Sequence, residues 1–147
     1  MLFFSGTYYH TIDPKGRINI PASFRKIFGF QRNGTIVIAR GLDQSCLLVY
    51  PQENWINKIK ELQSLPKTEK TTAFLRILSA SGQPTQIDNQ GRIVIPPSLL
   101  EAVSLQKEEK VAIIGFADKM EIWKLSAYKA YLAKHKESFE KIARERL

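Results

Sequence analysis

Two arginines, each directly after a glycine and four positions after an aspartate, are the side chains of this sequence best suited to specific chemistry. The segment at 13–17 (DPKGR) recurs 75 positions later at 88–92 (DNQGR). An arginine guanidinium is a rigid fork of donors that matches a carboxylate, a phosphate or the two major-groove acceptors of guanine. The pattern therefore predicts a bidentate contact with a nucleic acid, an ion pair inside the turn, or both.

For Arg17 we favour contact with DNA, and for Asp13 a structural role in fixing the turn. The opposing interpretation is that Arg17 only forms an ion pair with Asp13, and the repetition of the pair as Asp88 and Arg92 supports it. Both roles hold together if Asp13 orients Arg17. We assign Asp88 a turn-fixing role as well, and Arg92 is a secondary candidate for DNA contact.

The same elements surround both turns. In the first copy, β-branched and aromatic residues at 6–12 predict a strand, and glycine at the turn supplies positive φ, so Gly16 and its counterpart Gly91 are expected to fix the turns. Alternating apolar and polar residues then predict a short strand, which Pro21 ends at the start of a helix. The predicted strands are 6–12, 17–20, 35–39, 46–50, 92–95, 110–115 and 120–124, and the predicted helices are 22–28, 51–62, 68–79, 97–103 and 126–147.

The two helices in the middle of the chain each have an apolar side. We expect Trp55, Ile56, Ile59 and Leu62 to lie on one side of the helix at 51–62, and Phe74, Ile77 and Leu78 of the helix at 68–79 to point inward. Tyr50 and Trp123 are expected at matching ends of the strands that precede the helices at 51–62 and 126–147.

The repeat also predicts the domain organisation. A unit of about 45 residues is near the lower limit for a self-sufficient core, so we expect the two copies to pack together as an intramolecular pseudo-dimer. We divide the chain into a first repeat at 6–53, a helical linker at 54–80, a second repeat at 81–126 and a C-terminal helix at 127–147. The fold class is α+β and rich in β-strands.

Positive charge is concentrated near the start of the chain. The net charge is +8, from 22 lysines and arginines against 14 acidic residues. Residues 1–33 contain five basic side chains and one acidic one, which is half of the excess. A concentrated positive field favours a polyanionic partner such as nucleic acid, although charge that serves only solubility would look the same.

The two copies differ mainly in charge. The changes are Lys15 to Gln90, Arg25 to Leu100 and Lys26 to Glu101. Cations that neutralise phosphates supply much of the affinity of DNA-binding proteins. We therefore expect the first repeat to form the DNA face, with Lys15, Arg25, Lys26 and Arg32 on phosphates, and the second to be mainly scaffold. The alternative for Arg25 and Lys26 is a solvated helix face.

Other residue classes indicate no catalysis and no cofactor. Cys46 is the single cysteine and lies in an apolar strand, which favours a core position and a reducing compartment. His10 and His135 have no partners at metal-ligand spacing, so we expect no metal site. The longest apolar stretch, at 111–117, is too short to cross a bilayer, and the N-terminus lacks the pattern of a signal peptide. We expect a cytoplasmic protein that is not an enzyme.

The C-terminal segment has an apolar stripe at three- and four-residue steps. Its members are Tyr128, Tyr131, Leu132, His135, Phe139 and Ile142. Such a stripe must be covered by another apolar surface. Packing on the chain's own body and docking on a neighbouring subunit both remain open from the sequence.

Together these motifs resemble the MraZ family of bacterial proteins, whose halves are similar to the DNA-binding domain of AbrB and SpoVT. The resemblance covers nearly the whole chain and is carried by 6–8 (GTY), 13–17 (DPKGR), 20–25 (IPASFR), 88–92 (DNQGR), 95–96 (IP), 114–115 (IG) and 121–123 (EIW). It implies a double swapped-hairpin β-barrel and subunits assembled into a homo-oligomeric ring. No membrane partner and no small-molecule substrate are expected.

The resemblance also implies a function. The protein would be a sequence-specific regulator, and we favour a repressor, of the operon for cell division and cell-wall synthesis. It would bind direct repeats of double-stranded DNA in the promoter, in the cytoplasm and associated with the nucleoid. The alternative is a ring-forming scaffold for protein interactions that binds nucleic acid only nonspecifically.

Overall fold

The computed structural model describes residues 3–29, 34–41 and 45–147. Its elements are β1 (Phe4–Thr11), β2 (Arg17–Asn19), α1 (Ala22–Gly29), β3 (Thr35–Arg40), β4 (Cys46–Pro51), α2 (Gln52–Leu62), α3 (Glu69–Ser81), β5 (Gln83–Gln86), β6 (Arg92–Val94), α4 (Pro97–Ala102), β7 (Lys110–Ala117), β8 (Lys119–Lys124) and α5 (Leu125–Arg146). Every predicted strand and helix occurs, with ends shifted by a few residues. Strand β5 is additional, and its proline is tolerated because β5 lies at the edge of a sheet.

The described strands form two antiparallel sheets that exchange strands between the repeats. One has six strands in the order β1-β7-β8-β4-β3-β5, and the other pairs β2 with β6. Strand β1 of the first repeat pairs with β7 of the second, and β5 of the second pairs with β3 of the first. The fold is therefore α+β with antiparallel sheets. Among the described residues, strand pairing leaves β1 and β5 as edges, so hydrogen bonds do not close this sheet into a barrel.

A pseudo-twofold relationship connects the repeats. Ile18 pairs with Ile93, which is the same position of the second repeat. The register of β3 with β5 also recurs in β7 with β1, where Thr35–Gln86 corresponds to Lys110–Thr11. The predicted pseudo-dimer is thus present as two interleaved repeats.

One core contains apolar side chains of both repeats. Ile18 and Ile93 are both 1% exposed, and they pack in the same cluster as Phe4 and Phe24. The rings of Phe4 and Phe24 meet edge to face with centroids 5.3 Å apart. Burying a side chain of this size stabilises the folded state by about 1.5–3 kcal/mol. Cys46 is also buried, as expected.

Helix α2 follows β4 and helix α5 follows β8, and an equivalent aromatic contact holds each helix to the strand before it. The Tyr50 ring lies 5.5 Å from that of Trp55 at the start of α2, and the Trp123 ring lies 5.6 Å from that of Tyr128 at the start of α5. The expected correspondence between Tyr50 and Trp123 therefore extends to their helical partners.

The expectation that α3 presents its apolar side chains inward is wrong for two of the three residues. Phe74 and Ile77 of α3 were expected to point inward, but their side chains are 47% and 56% exposed, whereas Leu78 is half-buried. On α2, Ile56 of the predicted apolar side is also 45% exposed. Helical periodicity identifies an apolar face but does not specify whether another element covers it.

Helix α5 packs on its own chain only near its start. Tyr128 and Tyr131 both contact Trp123 of β8. Further along, three large apolar side chains are at least 49% exposed, namely Leu132, Phe139 and Ile142. The first turns of the stripe therefore pack on the chain, and the remainder is uncovered in the single chain. Docking of that remainder on a neighbouring subunit stays a prediction.

Candidate nucleic-acid interface

The Asp13 carboxylate organises the first turn. Its Oδ1 accepts hydrogen bonds from the backbone amides of Lys15 (2.9 Å) and Arg17 (2.8 Å), and its Oδ2 accepts one from Arg17 Nε at 2.6 Å. Gly16 completes the turn with φ +77° and donates its amide proton to the Asp13 carbonyl. Few residues other than glycine adopt this backbone region without strain. The turn is therefore preorganised by its own side chains.

The second turn repeats this geometry. Asp88 Oδ1 accepts from the amides of Gln90 (2.8 Å) and Arg92 (3.0 Å), and Oδ2 accepts from Arg92 Nε at 3.1 Å. Gly91 has φ +78°. The ion pair is longer here, and the side chain of Asp88 is 40% exposed against 26% for Asp13. The first turn is the more tightly held of the two.

The pKa values of both carboxyl groups reflect these contacts. Partial burial alone would raise the pKa of Asp13, but the amides of Arg17 and Lys15 and the Arg17 guanidinium together hold it below its ordinary value of 3.8. The backbone amide of Arg92 is the largest influence that lowers the pKa of Asp88, and it outweighs the effect of burial. Both groups are thus carboxylates at neutral pH, as the ion pairs require.

Arg17 retains free donors beyond its ion pair. Its Nε binds Asp13, and within the described residues the two terminal nitrogens, Nη1 and Nη2, have no protein partner. These are the paired donors that match guanine O6 and N7. The ion pair of the structural interpretation is therefore present, and it leaves the tip of the side chain available for a ligand. The same holds for Arg92 with Asp88.

Strands β2 and β6 form a two-stranded ribbon, here called the β2–β6 ribbon, with one buried and one outer face. Ile18 and Ile93 point into the core. The alternate residues form the outer face, where Arg17 lies opposite Val94 and Asn19 opposite Arg92. Asn19 is exposed and Val94 is 51% exposed. The ribbon thus places both arginines on the same outward surface.

Each turn is anchored to the end of the other repeat's strand. The Gly16 carbonyl accepts a hydrogen bond from the amide of Ile95 (2.9 Å), and the Gly91 carbonyl accepts one from the amide of Ile20 (2.8 Å). The two turns consequently lie at opposite ends of the β2–β6 ribbon.

Arg25 of the first repeat lies at the turn of the second repeat. The Arg25 side chain lies over Gly91, so close that a Cβ added there would overlap its guanidinium. The counterpart of Arg25 in the second repeat is Leu100, which lies next to Gly16 of the first turn together with Lys107. Each of these helices therefore contacts the turn of the other repeat. That the first repeat forms the DNA face stays a prediction.

Two other side chains that were predicted to contact phosphates are exposed. Lys15 lies on the first turn and Lys26 follows Arg25 on α1, and both side chains are open to solvent. Arg32 lies outside the described residues. Sequence reasoning missed Lys107, whose position beside Gly16 results from tertiary packing. It also assigned no role to Asn19 and Val94, although their alternation with Ile18 and Ile93 marks them as outer-face residues.

Two features are absent from the part of the chain that the structure describes. No group of three or more histidine, cysteine, aspartate or glutamate side chains is arranged to hold a metal ion. No described helix is both long enough and apolar enough to span a membrane.

The chain is similar to one protein family along almost its whole length. A family model described as "MraZ protein, putative antitoxin-like" matches residues 3–77 and 80–147. Proteins named "Transcriptional regulator MraZ" from Halothermothrix orenii, Moorella thermoacetica and Ligilactobacillus salivarius are 44%, 39% and 40% identical to it. Each alignment covers 95% of this chain and 94% of the relative.

Proposed function

Because this chain belongs to the MraZ family of transcriptional regulators, we propose that it binds double-stranded DNA through the outer face of the β2–β6 ribbon. The single observation that carries this proposal is the geometry of Arg17. Its Nε is held by Asp13 at 2.6 Å, its side chain is 27% exposed, and its terminal nitrogens have no partner among the described residues. A preorganised guanidinium loses little freedom when it binds, which favours base contact.

We propose that the β2–β6 ribbon enters the major groove. This groove of B-DNA admits a two-stranded β-ribbon, and a bidentate arginine on guanine is the commonest specific contact. We propose that the exposed cations Lys15, Arg25 and Lys26 contact phosphates, which position a protein on DNA without selecting sequence. Lys107 joins this group because it lies beside the first turn.

We propose that the protein represses the operon for cell division and cell-wall synthesis, where it binds direct repeats in the promoter as a homo-oligomeric ring. One ribbon makes few base contacts, so a single protomer has weak specificity. When several linked ribbons bind successive repeats, each later contact is effectively intramolecular, and the overall affinity rises steeply. This regulator would act in the cytoplasm, associated with the nucleoid.

The distal part of α5 supports assembly. Leu132, Phe139 and Ile142 lie on one side of a helix that extends beyond its contact with Trp123, and each is exposed in the single chain. Burial of such residues in a second copy removes apolar surface from water, and each contributes about 1.5–3 kcal/mol when fully covered.

The strand exchange supports the expected double swapped-hairpin barrel. In that architecture each repeat lends strands to the other, and the β1–β7 and β3–β5 pairings are of this kind. We propose that the six-stranded sheet and the β2–β6 ribbon curve around the shared core as such a barrel.

The experiment that tests DNA binding is a gel shift with the promoter upstream of this gene. We expect wild type to bind it, and Arg17→Ala to lose specific binding while it keeps its fold and oligomeric state. If Arg17→Ala unfolds the protein, the ion pair with Asp13 is the sole role of this arginine. Inserting half a helical turn between the repeats tests the ring, since unchanged affinity would contradict simultaneous binding.

The alternative function is a ring-forming scaffold for other proteins with only nonspecific affinity for nucleic acid. The exposed Phe74 and Ile77 of α3 favour it, because they offer a second apolar surface away from the ribbon. Competition separates the two functions. If random DNA displaces a labelled promoter fragment as well as unlabelled promoter does, the scaffold is the better description.

A further inference from the structure

The outer face of the β2–β6 ribbon is asymmetric at one pair of equivalent positions. Arg17 corresponds to Arg92, so the arginines are the same in both halves. Asn19 corresponds to Val94, so a polar amide in one half is replaced by an apolar side chain in the other. Both side chains are exposed, and no hydrogen bond to another described residue occupies the Asn19 amide.

The register places these two residues beside the arginines. Ile20 and Gly91 are joined by a ladder hydrogen bond, as are Ile95 and Gly16. Antiparallel pairs alternate between hydrogen-bonded and non-hydrogen-bonded types, and side chains are closer in the second type. Asn19–Arg92 and Arg17–Val94 are therefore non-hydrogen-bonded pairs, with their side chains next to one another on the outer face.

We propose that Asn19 and Val94 contact base edges beside the two arginines and thereby give the DNA site a direction. An asparagine amide can form two hydrogen bonds to adenine N6 and N7, and an apolar side chain can contact the methyl group of thymine. This inference rests on the proposed DNA-binding function and specifies which residues discriminate between bases. It assigns an adenine next to the base that Arg92 contacts, and a thymine next to the base that Arg17 contacts.

The direction follows from symmetry. A ribbon with identical halves would present the same donors to both DNA strands and would favour a palindrome. The Asn19/Val94 difference removes that equivalence, so the favoured site is not palindromic.

The spacing of the contacted bases follows from strand geometry. Residues two apart on a strand are separated by roughly 6.8 Å, and base pairs are ~3.4 Å apart along the DNA axis. The two cross-strand pairs therefore contact bases about two steps apart.

The test exchanges the two residues between the halves. Asn19→Val and Val94→Asn each copy the residue that the other half already accommodates, so both variants are expected to fold. Preferred sequences are selected from a random DNA pool by the full-length protein, and affinities are measured by fluorescence anisotropy at one salt concentration. Asn57→Ala, on the exposed surface of α2, is the matched control for loss of an amide.

For Asn19→Val we expect the adenine preference at one position to fall by roughly 5- to 100-fold, while affinity for random DNA is unchanged. The double exchange should move the adenine preference to the base beside Arg17. Replacing the specified thymine with uracil, which lacks the methyl group, should weaken binding by wild type but not by Val94→Asn. Asn57→Ala should select the same site as wild type.

Two outcomes would overturn the inference, and they are distinguishable. If wild type selects a specific site and Asn19→Val selects it equally well, the assignment is wrong and the proposed function stands. If wild type selects no sequence at all, the proposed function fails together with the inference. The uracil experiment on wild type needs no variant, so loss of folding in a variant would not leave the inference undecided.

Discussion

The guanidinium group of Arg25, on helix α1 of the first repeat, lies over the backbone of Gly91 in the turn of the second repeat. A Cβ at Gly91 would overlap Arg25 Nη1 and would lie only 2.9 Å from Arg25 Cδ. The absence of a side chain at Gly91 is therefore what allows this cation to reach the second turn. In the first turn Leu100 and Lys107 lie near Gly16 instead, so the two ends of the ribbon have different cations at different positions.

Alanine substitutions at the two turn glycines should destabilise the protein equally, but only Gly91→Ala should also weaken DNA binding. Both glycines have positive φ, so Gly16→Ala and Gly91→Ala should each lower the free energy of unfolding by about 1–2 kcal/mol. At Gly16 the nearest atoms to the new methyl group are at ordinary contact distance, whereas Gly91→Ala must displace Arg25. Urea unfolding and anisotropy with promoter DNA measure the two effects.

A double-mutant cycle provides the control for this prediction. If displacement of Arg25 causes the loss of affinity in Gly91→Ala, the double variant Arg25→Ala/Gly91→Ala should bind no more weakly than Arg25→Ala alone. Additive losses would show that Gly91 acts on DNA binding independently of Arg25.

Acid should weaken the turns, and the carboxylates of Asp13 and Asp88 should account for part of this effect. Their pKa values are lower in the folded protein than their ordinary 3.8, so they stabilise it above that pH. This stabilisation is lost as the pH falls through the lowered pKa values that the two groups have in the folded protein. Asp13→Asn should therefore be less stable than wild type at pH 7, and the two should converge in strong acid.

Thermal unfolding between pH 2 and pH 7 measures this convergence. Glu137→Gln, on the exposed side of α5, removes the same charge away from the turns and should leave the pH dependence as in wild type. A constant difference between Asp13→Asn and wild type at every pH would mean that the charge of Asp13 contributes nothing.

Local sequence patterns were sufficient to predict most of the elements and the turn chemistry. The Asp13–Arg17 ion pair follows from their spacing around a glycine turn, and the alternation of Ile18 with its polar neighbours predicts the two faces of β2. Strand β5 was missed because Pro84 is unfavourable in a ladder, and only its edge position makes the strand possible.

Contacts between the repeats could not be predicted in the same way. Nothing in the local sequence specifies that β1 pairs with β7 or that Arg25 reaches Gly91, because these contacts depend on which of two similar repeats each element packs against. The comparison of charges between the copies stays a prediction of which residues meet DNA. It did not anticipate that Arg25 of the first repeat lies over Gly91 of the second, or that Lys107 of the second lies beside Gly16 of the first.

Arg17→Lys should separate specific from nonspecific binding. Lysine keeps the positive charge for phosphates but lacks the fork that matches guanine. We expect affinity for random DNA to be retained and the preference for promoter over random DNA to fall by about 1–3 kcal/mol. Competition anisotropy with both DNAs measures this preference. Equal preference in Arg17→Lys and wild type would show that Arg17 contacts phosphate rather than a base.

The inner face of the ribbon should control stability without affecting recognition. Ile18 and Ile93 are each 1% exposed and pair at the centre of the ribbon. Replacing either with valine should cost about 0.5–1.5 kcal/mol of folding free energy. The double variant should deviate from additivity because the two side chains are neighbours. DNA affinity measured well below the unfolding temperature should stay at the wild-type value, and a change there would mean that the ribbon itself is distorted.

A charge on the uncovered part of α5 should disrupt assembly and leave the protomer intact. Phe139 is 68% exposed in the single chain, so Phe139→Glu removes little packing within it and should not lower its unfolding temperature. In an oligomer that buries this side chain, an unpaired carboxylate would oppose association. Light scattering coupled to size exclusion should therefore show a smaller mass. Ala130→Glu adds the same charge on the opposite side of α5 and should assemble as wild type does. Equal masses for all three proteins would exclude this stripe from the subunit interface.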